Sequence, residues 1–304
     1  MMSETIPSAL HDQRIDRVVA LIADVSRSAT ASLIKAGGVT LDGEVVTAGK
    51  IKVRQGQSIG VDTALLPTKE LPSADPSINI SVVFADDDVI VVNKAPGVVV
   101  HPGAGNPTRT LINGALSMFP EIATVGDPLR PGVVHRLDAG TSGLMLLARS
   151  QTAYDALVKA LSERRVSRKY EALVWGHPDV AVGVIDAPIG RDHRDPTKMS
   201  VVVDGRFART RYEVRRTFAK PMATALVECE LDTGRTHQIR VHLASIGHPI
   251  VGDPTYGGAR SSLSSPRPLL HAAKLGFVHP VSGVEMKFDA TQPEDMSDII
   301  SRCE

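Results

Sequence analysis

The chain has 304 residues, of which 42% are hydrophobic, and this is enough for one sizeable core and a smaller second one. Its 34 basic and 34 acidic residues balance, so bulk charge gives no sign of a nucleic-acid partner and any basic surface must be local. Aromatic residues make up only 4% of the chain, which argues against a protein that reads single strands mainly by stacking.

Residues 14–62 are predicted to form a small first domain. Apolar residues at helical spacing indicate one helix, and a second helix is expected to begin at Ser26 or Ser28. The dipeptide Asp42-Gly43 between two short β-branched runs is a strong signal for a two-residue hairpin. Residues 63–78 contain three prolines and no periodicity, which predicts a semi-rigid linker.

A larger second domain is predicted over residues 79–304, with many strands and several helices. Apolar periodicity and turn residues define its elements. In chain order these are a hairpin around residues 86–88, a helix over 110–118, a buried strand over 144–148, a helix over 151–163, a strand over 166–175, a strand pair with a polar loop over 186–203, and a helix that Thr233 or Thr236 caps and Gly247 ends.

The stretch from His135 to Arg149 places a charged and polar cluster directly before a strongly apolar run. A buried strand over 144–148 would hold Asp138 at the rim of a sheet, on a loop where catalytic groups usually lie. An isolated aspartate at such a turn more often accepts hydrogen bonds from backbone N–H groups. The whole string HRLDAGTSGLMLLAR, however, resembles the signature of the RluA/RluD family of RNA pseudouridine synthases. The resemblance implies that Asp138 is the catalytic residue.

Two further strings carry the same resemblance, which covers roughly residues 14–285. The RKY string puts Tyr170 where the family has a tyrosine against the target base, and the HQIR string puts Arg240 where the family has an arginine that pairs with the catalytic aspartate. The string over 251–257 also matches, and we expect it to be a structural turn. The resemblance implies an α+β catalytic domain on a mixed, largely antiparallel sheet, preceded by a small α-L RNA-binding domain.

The strings nearest the start of the second domain point to one branch of the family. NKAPG, followed by a His-Pro pair, makes Lys94 and His101 candidates for the rim of the site, although a surface lysine and a turn histidine are equally good interpretations. HPGAGNP is most similar to the RluD branch. That similarity implies uridines of large-subunit (23S) ribosomal RNA as substrates.

The first domain is similar to the α-L RNA-binding motif shared by a small-subunit ribosomal protein and tyrosyl-tRNA synthetase. This similarity implies that Arg14, Arg27 and Lys35 face RNA, with Arg17 as a further candidate. Residues 1–62 hold seven basic and seven acidic residues, so the charge alone does not require a phosphate-binding face. The alternative is a small domain that packs on the enzyme and binds nothing.

Basic residues of the second domain are concentrated in one span. Residues 164–220 hold 13 basic and seven acidic residues, which favours an RNA-facing stripe that includes Arg168 and Lys169. Residues 285–304 hold six acidic and two basic residues and are expected to face away from RNA. The remaining candidates for RNA contacts lie in the two signature strings and are Arg136, Arg235 and His237.

The reaction that the resemblance implies breaks the bond between uracil N1 and ribose C1′ and rejoins the ring through C5. No atom is gained and no redox change occurs, so we expect no cofactor. Asp138 would supply a carboxylate, ionised near neutral pH, that attacks the sugar, attacks the uracil ring or abstracts a ribose proton. Arg240 would keep it charged and oriented, Tyr170 would pack against the base, and Arg136 would fill the gap left by the flipped nucleotide.

The chain offers little support for a metal site. His237, His242 and His248 are spaced by five and six residues, whereas ligands on one helix face need a spacing of three or four. Cys229 and Cys303 are expected to be free thiols in a reducing cytoplasm. No signal peptide or membrane span is predicted, and a monomer is expected. The alternatives that stay open are a transfer-RNA pseudouridine synthase, a non-catalytic ribosomal-RNA-binding assembly factor and a metal-dependent hydrolase.

Overall fold

A computed structural model describes residues 2–66, 70–103 and 105–303 of the chain. The chain divides into two compact units, Met1–Glu70 and Leu71–Glu304. Part of the predicted linker, residues 67–69, and Ala104 of the HPGAGNP string lie outside the described residues. Among the described residues, no helix is both long and apolar enough to cross a membrane.

The first unit packs two helices against a small antiparallel sheet. Its elements are β1 (Met2–Thr5), α1 (Ile15–Ile22), α2 (Arg27–Lys35), β2 (Val39–Leu41), β3 (Glu44–Val45) and β4 (Ser58–Val61), with strand order β1-β4-β2-β3. The Ser26 hydroxyl accepts a hydrogen bond from Ala29 N at 3.2 Å and thereby caps α2. Asp42 and Gly43 have φ of 52° and 87°, the left-handed conformation that a tight hairpin requires. The two helix starts and the hairpin therefore agree with the sequence pattern.

The second unit is built on one large sheet. The strands of this unit are β5 (Ser81–Ala85), β6 (Val89–Lys94), β7 (Ser142–Ala148), β8 (Ser167–Trp175), β9 (Val182–Asp186), β10 (Ile189–Arg191), β11 (Met199–Val201), β12 (Arg209–Phe218), β13 (Thr224–Leu231), β14 (Leu270–Val278) and β15 (Glu285–Asp289). Strands β10 and β11 form a separate two-stranded sheet, and the others belong to the large sheet. The helices of the unit are α3 (Leu111–Met118), α4 (Gln151–Ser162), α5 (Gln238–Ser245) and α6 (Glu294–Ser301). The strand order is β5-β6-β7-β14-β8-β13-β12-β9, with β15 paired to β14.

Every neighbouring pair in this sheet is antiparallel except β7 and β14. The predicted mixed, largely antiparallel sheet of an α+β fold is thus confirmed. Helices α3 and α5 cover one face of the sheet with a core that includes Tyr170, Ala172 and Val174, whereas α4 covers the other face. Arg168 and Tyr170 are buried on the α3 and α5 face, as alternation along β8 predicts.

The parallel crossing of β7 and β14 fixes the loop that precedes β7. Gly143 lies opposite Ala272 with φ of 109°, and a Cβ atom there would come within 2.3 Å of the Ala272 carbonyl oxygen. Only glycine therefore allows the two strands to approach this closely. All seven residues of β7 are buried, so the strand holds the preceding HRLD segment on a rigid support.

Two local predictions differ from the structure. Residue 237, not Thr233 or Thr236, occupies the N-cap of α5; it is a histidine with φ of 57°, and its side chain makes no cap hydrogen bond. The Thr233 hydroxyl instead donates to Gln238 Oε1 at 2.7 Å. The second half of the predicted linker belongs to the second unit, because Asn113 Nδ2 of α3 donates to the Ser73 carbonyl at 2.7 Å.

Candidate active site

A cavity of about 580 Å³ opens on the α5 side of the large sheet. Its volume is in the range of small-ligand sites. Asp138, Tyr170 and Arg240 all line it, together with the segments around residues 134–137, 161–168 and 231–239. A second cavity of about 500 Å³ shares Asp138 and Arg240 with the first. The structure therefore brings together the three residues that the family signature singles out.

The loop that carries Asp138 is held by backbone hydrogen bonds. Gly97 N donates to the Ala139 carbonyl at 2.8 Å, and Thr141 N donates to the Asp138 carbonyl at 3.1 Å. Lys94 lies beneath this loop, and its Nζ donates to the carbonyls of three residues, Ala95, Val98 and Ala139, at 2.8 to 3.1 Å. Burial lowers the pKa of Lys94 to about 7, and the charge of Asp138 opposes that shift.

Lys94 is 2% exposed and lines neither cavity, so its prediction as a rim residue is wrong; it supports the loop from below. His101 lines both cavities. Its Nδ1 is buried and has no hydrogen-bond partner in the described parts of the chain. Burial, with Arg136 nearby, lowers the pKa of His101 and favours a neutral ring.

Arg240 joins two carboxylates. Its Nη1 donates to Asp138 Oδ2 at 3.1 Å, which is the pairing that the HQIR resemblance implies. Its Nε and Nη2 donate to the two oxygens of Asp253 at 2.7 and 2.9 Å. Burial disfavours the charged guanidinium, but Asp253 and then Asp138 outweigh burial and raise the pKa of Arg240. Arg240 is therefore a fixed cation beside Asp138.

The two carboxylates differ in their surroundings. Asp253 is fully buried and makes a two-bonded contact with Arg240, whereas the Asp138 side chain is 21% exposed and makes one. Asp253 Oδ1 also accepts hydrogen bonds from the backbone N–H groups of Thr255 and Tyr256. Asp253 thus orients the arginine, and Asp138 keeps lone pairs that are open to the cavity.

His237 completes the polar wall around Asp138. Its Nε2 lies 3.9 Å from Asp138 Oδ2, and its Nδ1 is 2.8 Å from the Tyr256 hydroxyl. Burial lowers the pKa of His237, although the charge of Asp138 opposes the shift. The guanidinium carbon of Arg240 lies 5.1 Å from the centre of the Tyr256 ring. Tyr256 therefore holds His237 and covers Arg240 at once.

Tyr170 is 5% exposed and lines the cavity from β8. Burial raises the pKa of Tyr170; the nearby Arg168 opposes this shift and the charge of Asp138 adds to it. The hydroxyl therefore stays protonated near neutral pH. Arg168, two residues before it, is also buried and lines the cavity, and its Nε has no hydrogen-bond partner within the described ranges.

The predicted RNA contacts separate into two groups in the second unit. Four of them line the cavity, namely Arg136, Arg168, Arg235 and His237. Lys169 does not, because alternation along β8 puts it on the opposite face of the sheet, where its Nζ lies 3.3 Å from Glu228. The prediction of one stripe that contains both Arg168 and Lys169 is therefore wrong.

The basic residues of the span 164–220 do not form one continuous RNA-facing surface, because several of them are neutralised by ion pairs. Carboxylates of the fold hold several of its cations in ion pairs: Arg165 with Glu163, Arg209 and Arg211 with Asp232, and Arg215 with Glu213 and Glu228. A count of charges along the sequence does not reveal these pairs. Arg164 and Arg168 line the cavity and form no such ion pair in the described chain, so their charges stay available to a ligand.

In the first unit, Arg14 and Lys35 line a groove of about 340 Å³ together with Lys50. Arg14 Nη2 lies 2.6 Å from Asp16 Oδ2, so its charge is partly neutralised. Arg27 is exposed but does not line the groove. A role for this unit in RNA binding stays a prediction.

The histidines of the HQIR region have separate partners. His242 contacts the Thr210 hydroxyl and the Ala187 carbonyl, and His248 contacts the Trp175 carbonyl. Within residues 2–66, 70–103 and 105–303, no group of three or more His, Cys, Asp or Glu side chains has the arrangement of a metal site. Cys229 and Cys303 are both buried.

Sequence reasoning missed two members of the site, Asp253 and Tyr256. Both belong to the string GDPTYG, for which we expected only a structural turn. The available signal was an aspartate 13 residues after an arginine already expected to pair with another carboxylate. A buried arginine has five donors to satisfy, which one carboxylate cannot do.

Comparison with known proteins agrees with this geometry. A sequence profile of RNA pseudouridylate synthases matches residues 88–245. Ribosomal large subunit pseudouridine synthase D of Xanthomonas campestris is 43% identical over 309 residues, which cover 97% of this chain and 90% of that protein. An uncharacterized RNA pseudouridine synthase of Chloroflexus aurantiacus is 46% identical over 296 residues, covering 97% and 91%. Human RNA pseudouridylate synthase domain containing 1 has a TM-score of 0.58 and 28% identity, over 71% of this chain and 84% of that chain.

An α+β sheet with an aspartate, a tyrosine and an arginine around one cavity, together with these similarities, defines the class of enzyme. The chain belongs to the RluA/RluD family of RNA pseudouridine synthases, and the predicted family is confirmed. It is an isomerase that acts on uridine in RNA. The roles of individual residues in that reaction are the subject of the proposal that follows.

Proposed function

We propose that this protein converts specific uridines of large-subunit (23S) ribosomal RNA to pseudouridine, with Asp138 as the catalytic carboxylate. The observation that supports the role of Asp138 best is its ion pair with Arg240 at the wall of the cavity that Tyr170 lines. The choice of ribosomal RNA rests on relatives named as ribosomal large subunit pseudouridine synthase D, about 40% identical over nearly the whole chain. We further propose that the protein acts as a monomer in the cytoplasm.

The chemistry needs one carboxylate and a means to hold the freed base. The N1–C1′ bond breaks, the C5–C1′ bond forms, the hydrogen on C5 leaves as a proton and N1 gains one. Asp138 can attack C1′, attack the uracil ring or remove a ribose proton, and each route requires an ionised carboxylate that faces the target nucleotide. Arg240 favours that charge and direction, since it donates to one oxygen and leaves the other free.

The remaining residues of the cavity act on the base and on the RNA chain. The ring of Tyr170 packs against uracil, and its protonated hydroxyl, which has no hydrogen-bond partner among the described residues, can donate to the base or to a water molecule. Arg136 is exposed at the cavity and enters the space that the flipped nucleotide leaves. Arg168 and Arg235 offer their charges to backbone phosphates, which offset the few kcal/mol that base flipping costs.

In the first unit, Arg14, Arg27 and Lys35 are proposed to contact RNA. Support comes from the groove that Arg14 and Lys35 share with Lys50. Removal of these three charges is expected to weaken RNA binding and to leave the turnover of bound RNA unchanged.

The test is release of tritium from C5. Unmodified large-subunit ribosomal RNA, transcribed with uridine labelled at C5, is incubated with wild-type protein, with Asp138→Asn and with the control Asp155→Asn, whose aspartate is exposed on α4. We expect release by wild type and control, and a loss of about 10³-fold or more for Asp138→Asn, because the nucleophile or base is gone. RNA binding and thermal unfolding show that the variant is folded.

Each part of the proposal has its own contrary outcome. Release from labelled transfer RNA but not from ribosomal RNA would overturn the substrate assignment. Equal release by wild type and Asp138→Asn would move the chemistry away from Asp138. Binding without release from any RNA would favour a non-catalytic role in ribosome assembly.

A further inference from the structure

Phe207 is the one aromatic residue of this chain whose side chain is exposed. The chain has six phenylalanines, four tyrosines and one tryptophan, all within the described residues, and the other ten are buried or partly buried. Phe207 is 45% exposed, in the turn between β11 and β12. It lines the same cavity as Asp138. An apolar ring kept in water at the mouth of a site needs an explanation other than the core.

Two arginines contact Phe207, one at its ring and one at its backbone carbonyl. The guanidinium carbon of Arg164, just beyond the end of α4, lies 5.3 Å from the centre of the Phe207 ring. Arg235 Nε donates to the Phe207 carbonyl at 3.0 Å, which fixes the turn that carries the ring. Both arginines line the cavity. Neither forms an ion pair with a carboxylate of the described chain, whereas the nearby Arg209 and Arg211 both pair with Asp232.

An exposed ring beside cations that form no ion pair in the described chain fits a nucleotide of a single strand. A base stacks on an aromatic or guanidinium plane, and the cations attract the phosphates on either side of that base. A protein partner explains the arrangement less well, because the three residues belong to the wall of a cavity that also holds Asp138 rather than to a broad apolar surface.

We infer that Phe207, together with Arg164, is a stacking platform for the nucleobase next to the target uridine. The target base belongs deeper in the cavity, since Tyr170 is 5% exposed and Phe207 is 45% exposed. Flipping the uridine removes a stacking partner from each of its neighbours, and the ring of Phe207 replaces it for one of them. The inference rests on the proposed function only in placing the target uridine at Asp138.

The experiment measures binding of an RNA fragment by five forms of the protein, one of which is a control. All carry Asp138→Asn to prevent turnover, and the protein with this change alone is the parent. Three others also carry Phe207→Ala, Phe207→Leu or Phe207→Tyr. The RNA is a short fragment, ribosomal or transfer, from which wild-type protein releases tritium, so a wrong substrate class does not decide the result. Each protein is also tested with fragments that have an abasic site immediately 5′ or 3′ of the target. The control Val203→Ala changes a fully exposed residue of the same turn that does not line the cavity.

Phe207→Ala is expected to weaken binding about tenfold or more, because stacking on one ring contributes about 1–3 kcal/mol. Phe207→Tyr should bind within threefold of the parent, and Phe207→Leu should resemble Phe207→Ala. With the parent, an abasic site on one side of the target should weaken binding about tenfold. With Phe207→Ala, the same abasic site should weaken binding no further. The Val203→Ala control should change none of these values.

Three results would overturn the inference. If Phe207→Ala bound RNA within twofold of the parent, Phe207 would make no energetically significant contact with the RNA. If Phe207→Leu bound RNA as tightly as the parent, the contact would be apolar and would not involve stacking. Equal abasic penalties in the parent and in Phe207→Ala at both positions would show that the ring touches neither neighbouring base. Loss of tritium release by wild type on every RNA would instead refute the proposed function.

Discussion

Strand β8 presents opposite chemistry on its two faces. On the cavity face, Arg168 is buried, and neither a carboxylate nor a partner for its Nε lies within reach in the described chain. On the other face, Lys169 shares Glu228 with Arg215 and Lys274, at 2.8 to 3.6 Å. A buried cation without a counterion costs free energy, whereas a shared carboxylate satisfies its cations. The comparison teaches that the cation left unpaired, rather than the cation-rich segment, marks the ligand site.

The largest expected effect concerns Arg240, a cation of the cavity that the fold holds in ion pairs. Asp253→Asn removes the negative charge of the two-bonded partner of Arg240 and leaves the buried guanidinium with Asp138 as its only anionic partner in the described chain. We expect a loss of about 3 kcal/mol of folding free energy and a fall of about 100-fold in kcat, because Arg240 then turns toward Asp138 and occupies it. Denaturant unfolding and tritium release measure the two effects. Unchanged kcat with the same loss of stability would make Asp253 purely structural.

Next in size is the matched pair Arg168→Met and Lys169→Met. Arg168→Met is expected to raise KM for RNA about tenfold and to reduce the slope of log affinity against log salt concentration by about one phosphate contact. It should leave stability equal or higher, because an unpaired buried charge is removed. Lys169→Met should leave KM within twofold. The comparison of faces breaks if Lys169→Met has the larger effect on KM.

Acid stability tests the cavity face in another way. Leu146 N donates to His135 Nε2 at 3.1 Å, which requires an unprotonated nitrogen. Burial, with the charge of Arg168, lowers the pKa of His135 to about 3. In the unfolded chain His135 has its ordinary pKa of about 6.5 and binds the proton more tightly. The neutral His135 therefore contributes its full stabilisation above about pH 6.5, and this contribution falls as the pH drops below that value.

We therefore expect wild type to lose about 1–2 kcal/mol between pH 7 and pH 5 that His135→Gln does not lose. The measurement is urea unfolding at both pH values. If both proteins lost the same unfolding free energy between the two pH values, protonation of His135 would not destabilise the folded state.

The smallest effect is expected at the opposite face. Burial opposes the ionised form of Glu228, but Arg215 and Lys169 outweigh it and lower the pKa of that carboxyl. The stabilisation that Glu228 contributes is present above the pKa that this carboxyl has in the unfolded state. It is lost as the pH falls through the lower pKa of the folded state. Glu228→Gln should lower stability by about 1 kcal/mol at pH 7, with no difference in strong acid, and leave activity within twofold. A large fall in kcat would show that this face also serves the reaction.

Sequence patterns predicted the fold and the centre of the site well. Period-two alternation placed Tyr170 on the buried face, the run after Gly143 gave β7, and the HRLD, RKY and HQIR strings located the three residues that the cavity brings together. These features depend on neighbours along the chain or on a recognisable string.

What the sequence did not reveal depends on distant partners. Lys94 is buried under the Asp138 loop, where its Nζ donates to the Ala139 carbonyl, 45 residues away. The neutralisation of Lys169 requires Glu228, 59 residues later. The N-cap of α5 is a left-handed histidine where propensity favours a threonine, because Thr233 is engaged by Gln238 and His237 is held by Tyr256. Local rules cannot account for contacts of this range.

The position of β14 has a consequence for biosynthesis. This strand lies between β7, which follows Asp138, and β8, which carries Tyr170, so it sets the spacing between the two residues. It comes from residues 270–278, far along the chain, and the sheet cannot close across its middle until that segment has been made. A nascent chain that has emerged only through α5 carries the HRLD, RKY and HQIR strings and still lacks the cavity. Synthesis thus separates the making of the catalytic residues from the onset of their activity.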